Sequence, residues 1–340
     1  MHKILLTLIL MAQACSLILA PAPAQARPLL VISTENPGEH VQTRIVQRFV
    51  ERVRACCADR IDVEHHFGAQ LLRDRDVLAA LSQGTVGMAF PGTWQLDRYV
   101  PDVGVFMMPV LYGRSEQDAA RIQDSPLVEA LSQQIEEALG VVVLGRWVAL
   151  GHSNLFSKSK PLNDVADLHG LRIRSPGGLA NEWRLSKLGA TPVTVAWSDL
   201  LHALDENSLD GLLTTFATLG SANLRSWGIR YVLEDRQYFS FYVPLVSAYV
   251  WRSLDDATRR DLAAAWEAGV NEGRAAMRHA QEEARARAVE AGIVIVTPGP
   301  ARIDAVRTRL NHAQSEIASR IGVDASILAG VSASFNEDEP

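Results

Sequence analysis

Apolar residues along the first part of the chain follow two patterns that predict strands and helices in alternation. Residues 29–33 form a short apolar run typical of a buried strand, and residues 61–67 alternate as a half-buried strand does. Between these runs, apolar side chains recur every three or four residues, which predicts a helix over residues 39–55. The same patterns predict helices over residues 73–83 and 115–139 and strands over residues 86–90 and 141–148.

The second half of the chain continues in this way. Residues 179–188 are predicted as a helix, and another helix begins at Ser198. Strands are predicted over residues 171–174, over 190–195, directly after Gly211, and over the long apolar run 239–251. Strand–helix alternation over 340 residues predicts an α/β protein of about two domains.

A long segment rich in Ala, Arg and Glu, residues 253–292, has a different character. It contains no proline, begins with a cap-like Ser253 and ends at Gly292. A helix of this length would extend about 57 Å at about 1.5 Å per residue, more than one small domain is wide. The segment therefore predicts a helix that lies along two lobes, and a solvent-facing helix on a single lobe is the alternative.

The N-terminus has the features of an export signal. Lys3 precedes an apolar stretch over residues 4–20, and Ala24-Gln25-Ala26 is a small-residue cleavage site. We expect residues 1–26 to be a cleaved signal peptide and the protein to be periplasmic; a retained membrane anchor and a lipoprotein cysteine at Cys15 are the alternatives. Cys56 and Cys57 are sequence neighbours late in a predicted helix, and we expect two thiols there rather than a disulfide.

Charge and motifs exclude several function classes. Lys and Arg number 33 against 39 Asp and Glu, so the chain is mildly acidic and nucleic acid is not an expected partner. No motif for dinucleotides, for a phosphate-binding loop or for zinc is present, so we expect no cofactor and no metal. Gly151-His152-Ser153 resembles the start of a nucleophile elbow, but Leu155 stands where a small residue is needed. A periplasmic esterase using Ser153 and His152 is therefore only an alternative to a protein without catalysis.

Residues 167–211 contain several motifs in order. They are Asp-Leu-His-Gly-Leu-Arg-Ile-Arg at 167–174, Gly-Ala-Thr-Pro at 189–192, a helix led by Trp197 and an Asp210-Gly211 turn. The segment resembles the periplasmic solute-binding subunits of TRAP transporters, the DctP-type family. Weaker similarity extends over nearly the whole mature chain.

The resemblance implies a two-lobed periplasmic binding protein with a ligand cleft between the lobes and a long helix that spans both. In this family's arrangement, residues 27–151 begin lobe I and residues 152–239 begin lobe II. Residues 240–280 form a strand and the long helix that return to lobe I. Residues 281–333 pack mainly on lobe II, and residues 334–340 form an acidic tail.

The resemblance also implies the ligand-binding residues. Arg174 matches the family's carboxylate-binding arginine, and a guanidinium suits that role because it pairs with a carboxylate through two hydrogen bonds. Periodicity alone does not separate Arg174 from Arg172, which shares its strand face. The other positions that the motifs match are Trp197, Thr214, Asn154, Trp94, Gly92, Pro91, Tyr238 and Gln237, with Arg146 as a substitute for a second arginine that this chain lacks.

The implied function is capture of a small organic acid and its delivery to the small and large membrane permease subunits of a TRAP transporter, by a monomer. Leu212 and Leu213 stand where relatives have polar residues, so we expect a more apolar or aromatic acid. A ligand sensor of the same fold that serves a receptor is an alternative that the sequence leaves open.

Overall fold

The computed structural model describes residues 27–158 and 160–335. The predicted signal peptide and most of the acidic tail lie outside the described residues. The chain forms two β-sheets, of five and six strands, each covered by helices. We refer to the part built on the five-stranded sheet as lobe I and to the part built on the six-stranded sheet as lobe II. The α/β class and the two-lobed architecture are as the sequence predicts.

The sheet of lobe I has the strand order β2-β1-β3-β10-β4. Strands β1, β2 and β3 are parallel, whereas β10 is antiparallel to both of its neighbours, β3 and β4. Its strands are β1 (Leu29–Ser33), β2 (Asp62–His66), β3 (Met88–Ala89), β4 (Val141–Val143) and β10 (Leu245–Ser247).

The sheet of lobe II has the strand order β11-β9-β5-β8-β6-β7. Strands β6, β7 and β8 are parallel, and β5 is antiparallel to both β8 and β9. Its strands are β5 (Val148–Ser157), β6 (Arg172–Ser175), β7 (Thr191–Thr194), β8 (Gly211–Thr214), β9 (Tyr231–Tyr242) and β11 (Val294–Val296). We call β5 and β9 the crossing strands, because Tyr242 at the end of β9 pairs with Gly92 of lobe I.

The helices pack on the faces of the two sheets. They are α1 (Val41–Cys57), α2 (Val77–Gln83), α3 (Thr93–Leu96), α4 (Glu116–Gln123), α5 (Pro126–Leu139), α6 (Leu179–Lys187), α7 (Leu200–Asp205), α8 (Phe216–Ser221), α9 (Ala248–Ser253), α10 (Asp256–Glu290), α11 (Pro300–Asn311), α12 (Gln314–Ile321) and α13 (Ala325–Ala333). Helix α1 shows why they form: its stripe of Ile45, Val46, Phe49, Val50 and Val53 is buried against the core.

The long helix α10 packs against both lobes, as predicted. Asp255 caps its first turn by accepting a hydrogen bond from the Thr258 backbone N–H at 2.7 Å. One part of the helix lies against α1 of lobe I, and another part lies against α8 and β5 of lobe II. Gly273 lets α1 approach closely, since a Cβ there would lie 3.3 Å from Ile45.

Prolines mark element boundaries that the apolar pattern does not show. The run 239–251 is not one strand: Pro244 separates β9 from β10, and α9 follows. The predicted helix 115–139 is two helices, since Pro126 begins α5. Two prolines also begin the short 3₁₀ segments Pro101–Met107 and Pro109–Leu111.

The C-terminal helices α11, α12 and α13 have no counterpart in the sequence-based prediction. They pack against Pro101–Leu111 and against α6. Gln314 accepts a hydrogen bond from the Val110 backbone N–H at 2.7 Å, and Asp102 accepts one from the Asp324 backbone N–H at 2.7 Å. The predicted packing of this segment mainly on lobe II stays a prediction.

The expectation of two free thiols at positions 56 and 57 is corrected, because the structure joins Cys56 and Cys57 in a disulfide. The pair lies at the last turn of α1, where helical geometry constrains the chain least.

The described residues contain neither a membrane-spanning helix nor a cluster of metal-ligand residues. None of their helices is long and apolar enough to cross a membrane. In the same part of the chain, no group of three or more His, Cys, Asp or Glu residues has the arrangement of a metal site.

Candidate ligand-binding site

A cavity lies between the two lobes. It is located where parallel strands from both sheets end: Glu35 and Asn36 follow β1, Arg174 lies near the end of β6, and Thr214 ends β8. Open α/β sheets bind ligands outside the carboxyl ends of their strands, because loops with free polar groups meet there. The fold therefore makes this cavity the candidate ligand-binding site.

Its lining combines many polar side chains with a few large apolar ones. The polar residues are Glu35, Asn36, Asp74, Ser153, Arg174, Thr214, Thr215, Thr218, Tyr238 and Tyr242. The apolar ones are Trp94, Leu150, Pro176, Trp197 and Leu213. A small polar molecule would find both hydrogen-bond partners and aromatic surfaces here.

Arg174 is a buried cation that faces this cavity. Only 3% of its surface is exposed, and its Nε donates a hydrogen bond to the Val195 carbonyl at 3.0 Å. This bond orients the guanidinium of a residue that lines the cavity, and it does not use the terminal N–H groups. Burial lowers the pKa of Arg174, and the charges of Asp74 and Glu35 oppose that effect. The arrangement suits a carboxylate, which pairs with two guanidinium N–H groups at once.

Two carboxyl groups stand near Arg174. Burial, followed by the charge of Asp74, raises the pKa of Glu35 to about 8. Glu35 accepts a hydrogen bond from Gln95 at 2.9 Å. Asp74 accepts one from the Trp197 backbone N–H at 2.9 Å through Oδ2, and its buried Oδ1 has no hydrogen-bond partner among the described residues. Buried polar atoms are normally paired, so Asp74 Oδ1 is positioned to accept a bond from a ligand.

The aromatic residues are held by neighbouring polar groups. The Asn36 side chain donates a hydrogen bond to the Tyr242 hydroxyl at 2.9 Å, and Trp94 packs against Tyr242 edge to face with ring centroids 5.6 Å apart. Gly92 makes this packing possible, because a Cβ at that position would come within 2.3 Å of the Trp94 indole. These contacts hold Trp94 and Tyr242 against each other in the cavity wall.

The structure brings five of the ten sequence-predicted positions together in this cavity: Arg174, Trp197, Thr214, Trp94 and Tyr238. Two more lie next to it. Gly92 lies beneath Trp94, and Pro91, which accepts a hydrogen bond from the Val243 backbone N–H, lines a smaller neighbouring cavity with Glu35 and Asp74.

The other three predicted positions, Asn154, Gln237 and Arg146, do not line this cavity. Asn154 follows Ser153 on β5 and therefore faces the opposite side of the sheet, where it accepts a hydrogen bond from the Arg236 backbone N–H. Gln237 is fully buried and accepts a hydrogen bond from Arg184 at 2.8 Å.

Arg146 has a structural partner rather than a place in the cleft. Its Nε and its backbone N–H each donate to the Glu267 carboxylate at 2.7 Å. Its side chain is 40% exposed, at the end of β4 away from the cavity. It does not supply the second arginine that the chain lacks.

The geometry does not favour the esterase alternative. Ser153 lines the cavity and its hydroxyl lies 3.0 Å from the Ser240 hydroxyl. His152 lies on the other face of β5, with its ring against Phe239. A nucleophile and its base must share a hydrogen bond, and neighbours on a strand point to opposite faces.

The lobes contact each other across the mouth of the cavity. Arg73 of lobe I pairs with Asp199 of lobe II at 3.3 Å, and Asp97 of lobe I accepts a hydrogen bond from the Leu179 backbone N–H of lobe II at 2.8 Å. Together with the bond from Trp197 to Asp74, these contacts show the cleft in a closed arrangement.

Sequence reasoning missed several lining residues, among them Glu35, Asn36 and Asp74 of lobe I and Tyr242 of β9. Glu35 and Asn36 follow a predicted parallel strand directly, and their position at a strand's carboxyl end was a usable signal. Asp74 lies in a predicted helix and Tyr242 within a predicted strand, so neither gave this signal.

Comparisons with known proteins agree with this architecture. The family model described as bacterial extracellular solute-binding protein, family 7 (DctP) matches residues 32–320. The C4-dicarboxylate-binding periplasmic protein DctP of Rhodobacter capsulatus is 24% identical over 257 residues, covering 74% of each chain. A solute-binding protein of Roseobacter denitrificans is 26% identical over 253 residues, covering 73% of this chain and 75% of that one.

Solved structures share the fold. The sugar acid binding protein of Advenella mimigardefordensis, in complex with galactonate, superposes with a TM-score of 0.86 at 18% identity, covering 92% of this chain and 99% of that one. A TRAP periplasmic solute-binding protein of Shewanella oneidensis with bound succinate gives 0.82 at 20% identity, covering 91% and 99%. The family match spans most of the chain and the fold agrees with it, so the protein belongs to the DctP family of TRAP-type bacterial extracellular solute-binding proteins.

Proposed function

We propose that the protein captures a small organic acid in the cavity between its lobes, with Arg174 binding the carboxylate. The observation that carries this proposal is a buried guanidinium, oriented by Val195, that faces a closed cavity at the carboxyl ends of the strands. In such a shielded place a charge pair is stronger than at a surface, because water competes less. Membership of a solute-binding family supports binding rather than catalysis.

The polar lining favours an acid that carries hydroxyl or other hydrogen-bond donor groups. Asp74 Oδ1 is an acceptor without a partner in the described residues, and Thr214 and Tyr238 add hydroxyl groups. The expectation of an apolar acid rests on Leu212 and Leu213, and of these two only Leu213 lines the cavity. The similar proteins with bound galactonate and succinate fit the proposed ligand class.

The proposed biological role is delivery of this acid to a TRAP permease from the periplasm. Family membership and a relative whose name includes "periplasmic" support this location. We further propose that the protein is exported and that residues 1–26 are cleaved off as a signal peptide. It would then act as a monomer that delivers the acid to the small and large permease subunits.

Native mass spectrometry of purified residues 27–340 tests the binding role, followed by calorimetry with galactonate, succinate and pantoate. Arg174→Ala should weaken binding of the acid by about 2–5 kcal/mol, the cost of removing one partner of a buried charge pair. Arg172→Ala is the matched control, because Arg172 lies two residues away on β6 but is exposed and pairs with Asp210.

The two variants make the outcomes distinct. An acid that binds the wild type and Arg172→Ala but not Arg174→Ala would support the proposal. Equal affinity in all three proteins would show that Arg174 is not the carboxylate anchor.

A further inference from the structure

A second cavity, of about 200 Å³, lies on the reverse face of the crossing strands. It is enclosed by β5, β9, α4 and the long helix α10. Neighbouring residues on a strand face opposite sides, so Ser153 and Tyr238 line the cleft cavity while their neighbours His152 and Phe239 line this one. The sheet therefore separates two cavities, and the proposed function uses only one of them.

The walls of the second cavity are largely apolar. Phe216, Phe239 and Met277 contribute large side chains, and Ala149 and Leu150 contribute smaller ones. Small-molecule sites in proteins are typically about 300–1,000 Å³ and mostly apolar, with a few placed polar groups. The cavity, at about 200 Å³, is somewhat smaller than this range and has that composition.

Most charged residues around it are already paired. The pairs are Arg274 with Asp124 at 2.7 Å, Arg285 with Glu234 at 2.7 Å and Arg278 with Glu116 at 3.8 Å. Glu282 is exposed at the rim. These pairs balance the charges of Arg274, Arg285 and Arg278. Arg236 is the other arginine in the lining.

Arg236 lies at an irregular point of β9. Its φ of 49° is in the left-handed region, and Asn154 holds its backbone by accepting its N–H at 2.9 Å. Such a backbone is uncommon for a residue other than glycine and is often found at functional sites. Within the described part of the chain, no carboxylate lies within ion-pair distance of its guanidinium.

His152 supplies a second unpaired polar group. Its ring packs edge to face against Phe239, with centroids 4.8 Å apart, and neither ring nitrogen has a hydrogen-bond partner among the described residues. Burial, with the nearby charge of Arg236, lowers the pKa of His152 to about 3. A neutral imidazole offers one donor and one acceptor, and leaving both unused is costly.

We propose that the second cavity binds a monocarboxylic acid with an apolar body, with Arg236 and His152 at its carboxylate and Phe239, Phe216 and Met277 around its body. The carboxylate would give Arg236 a counter-charge and His152 a hydrogen-bond partner. The apolar walls would shield the pair from water, which strengthens it. This site does not depend on the proposed function of the cleft.

The test uses 1-naphthoate as the probe and isothermal titration calorimetry as the readout. The titrated protein carries Arg174→Ala, which removes the carboxylate anchor of the cleft and isolates the second cavity. We expect saturable binding that is about tenfold or more weaker after addition of Arg236→Asn, since a hydrogen bond to a charged group contributes roughly 1.5–3 kcal/mol. Asn is suitable because it tolerates a positive φ.

Three controls make the result specific. His152→Phe should also weaken binding while keeping the ring packed on Phe239, and Arg252→Asn, on exposed α9, should leave it unchanged. The neutral 1-naphthalenemethanol should bind more weakly than 1-naphthoate. Absence of saturable naphthoate binding, or equal affinity in Arg236→Asn with its circular dichroism spectrum intact, would overturn the proposal without affecting the cleft.

Discussion

Glu35 is the residue of the cleft whose protonation should be visible in stability. Burial and the charge of Asp74 raise the pKa of its carboxyl group from 4.5 to about 8, so the folded protein holds a proton that the unfolded chain releases. Stability is therefore expected to fall as the pH rises through that interval. Glu35→Gln, which stays neutral, should gain in melting temperature relative to the wild type as the pH rises from 4.5 to about 8.

Thermal unfolding of ligand-free protein across this pH range measures the effect, with Glu39→Gln as the control. Glu39 is exposed near the start of α1 and lines neither of the two cavities described above. A difference in melting temperature between Glu35→Gln and the wild type that stays constant with pH would contradict the assigned cause.

At the residue scale, the sequence alone identifies some of the site but not its environment. Arg172 and Arg174 share a strand face, and periodicity treats them alike; the family motif selects Arg174, and the structure buries it while Arg172 pairs with Asp210 at the surface. Asn154 shows the reverse case. Motif position suggests the cleft, but strand alternation turns its side chain to the second cavity.

At the scale of elements, Arg184 joins α6 to β9 and to the segment Pro101–Met107. Its three nitrogens donate to Gln237 at 2.8 Å, to the Met107 carbonyl and to Asn181 at 2.6 Å, all of them buried. Gln237 in turn donates to Asp235. Arg184→Met should destabilise the fold by about 3–5 kcal/mol, because it leaves buried polar partners unpaired.

Urea denaturation measures this effect. Arg146→Ala is the control, since its ion pair with Glu267 is exposed and such pairs contribute about 0–1 kcal/mol. A loss below about 1 kcal/mol for Arg184→Met would show that the network is not a structural junction between these elements.

Elements with a regular pattern are the ones the sequence predicts best. Strand β1 was predicted with its observed bounds, and the long helix α10 was predicted with small errors at its ends. The crossing strand β9 was not, because its irregular point at Arg236 and the break at Pro244 depend on pairing with β5 and on the passage between lobes. The C-terminal helices α11, α12 and α13 were not predicted, because the choice of their buried faces depends on contacts with distant segments of the chain.

At the scale of the whole molecule, the closed cleft depends on a few polar contacts. Arg73 with Asp199 is an exposed ion pair of small energetic value, whereas Asp74 with Trp197 and Asp97 with Leu179 are more shielded hydrogen bonds. A ligand that binds Arg174 of lobe II and Glu35 or Asn36 of lobe I would add contacts to both sides of the cleft. The ligand should therefore shift the population of lobe arrangements towards the closed form.

Small-angle X-ray scattering measures this shift on protein stripped of ligand by unfolding and refolding. We expect the radius of gyration to decrease when the acid found by calorimetry is added to the wild type. The Arg174→Ala variant should keep the larger radius at the same acid concentration, because a ligand that does not bind both lobes gains nothing from closure. Equal radii with and without the acid at saturation would mean that the cleft is closed before binding, and the ligand would then have to enter through local motion of the Arg73–Asp199 rim.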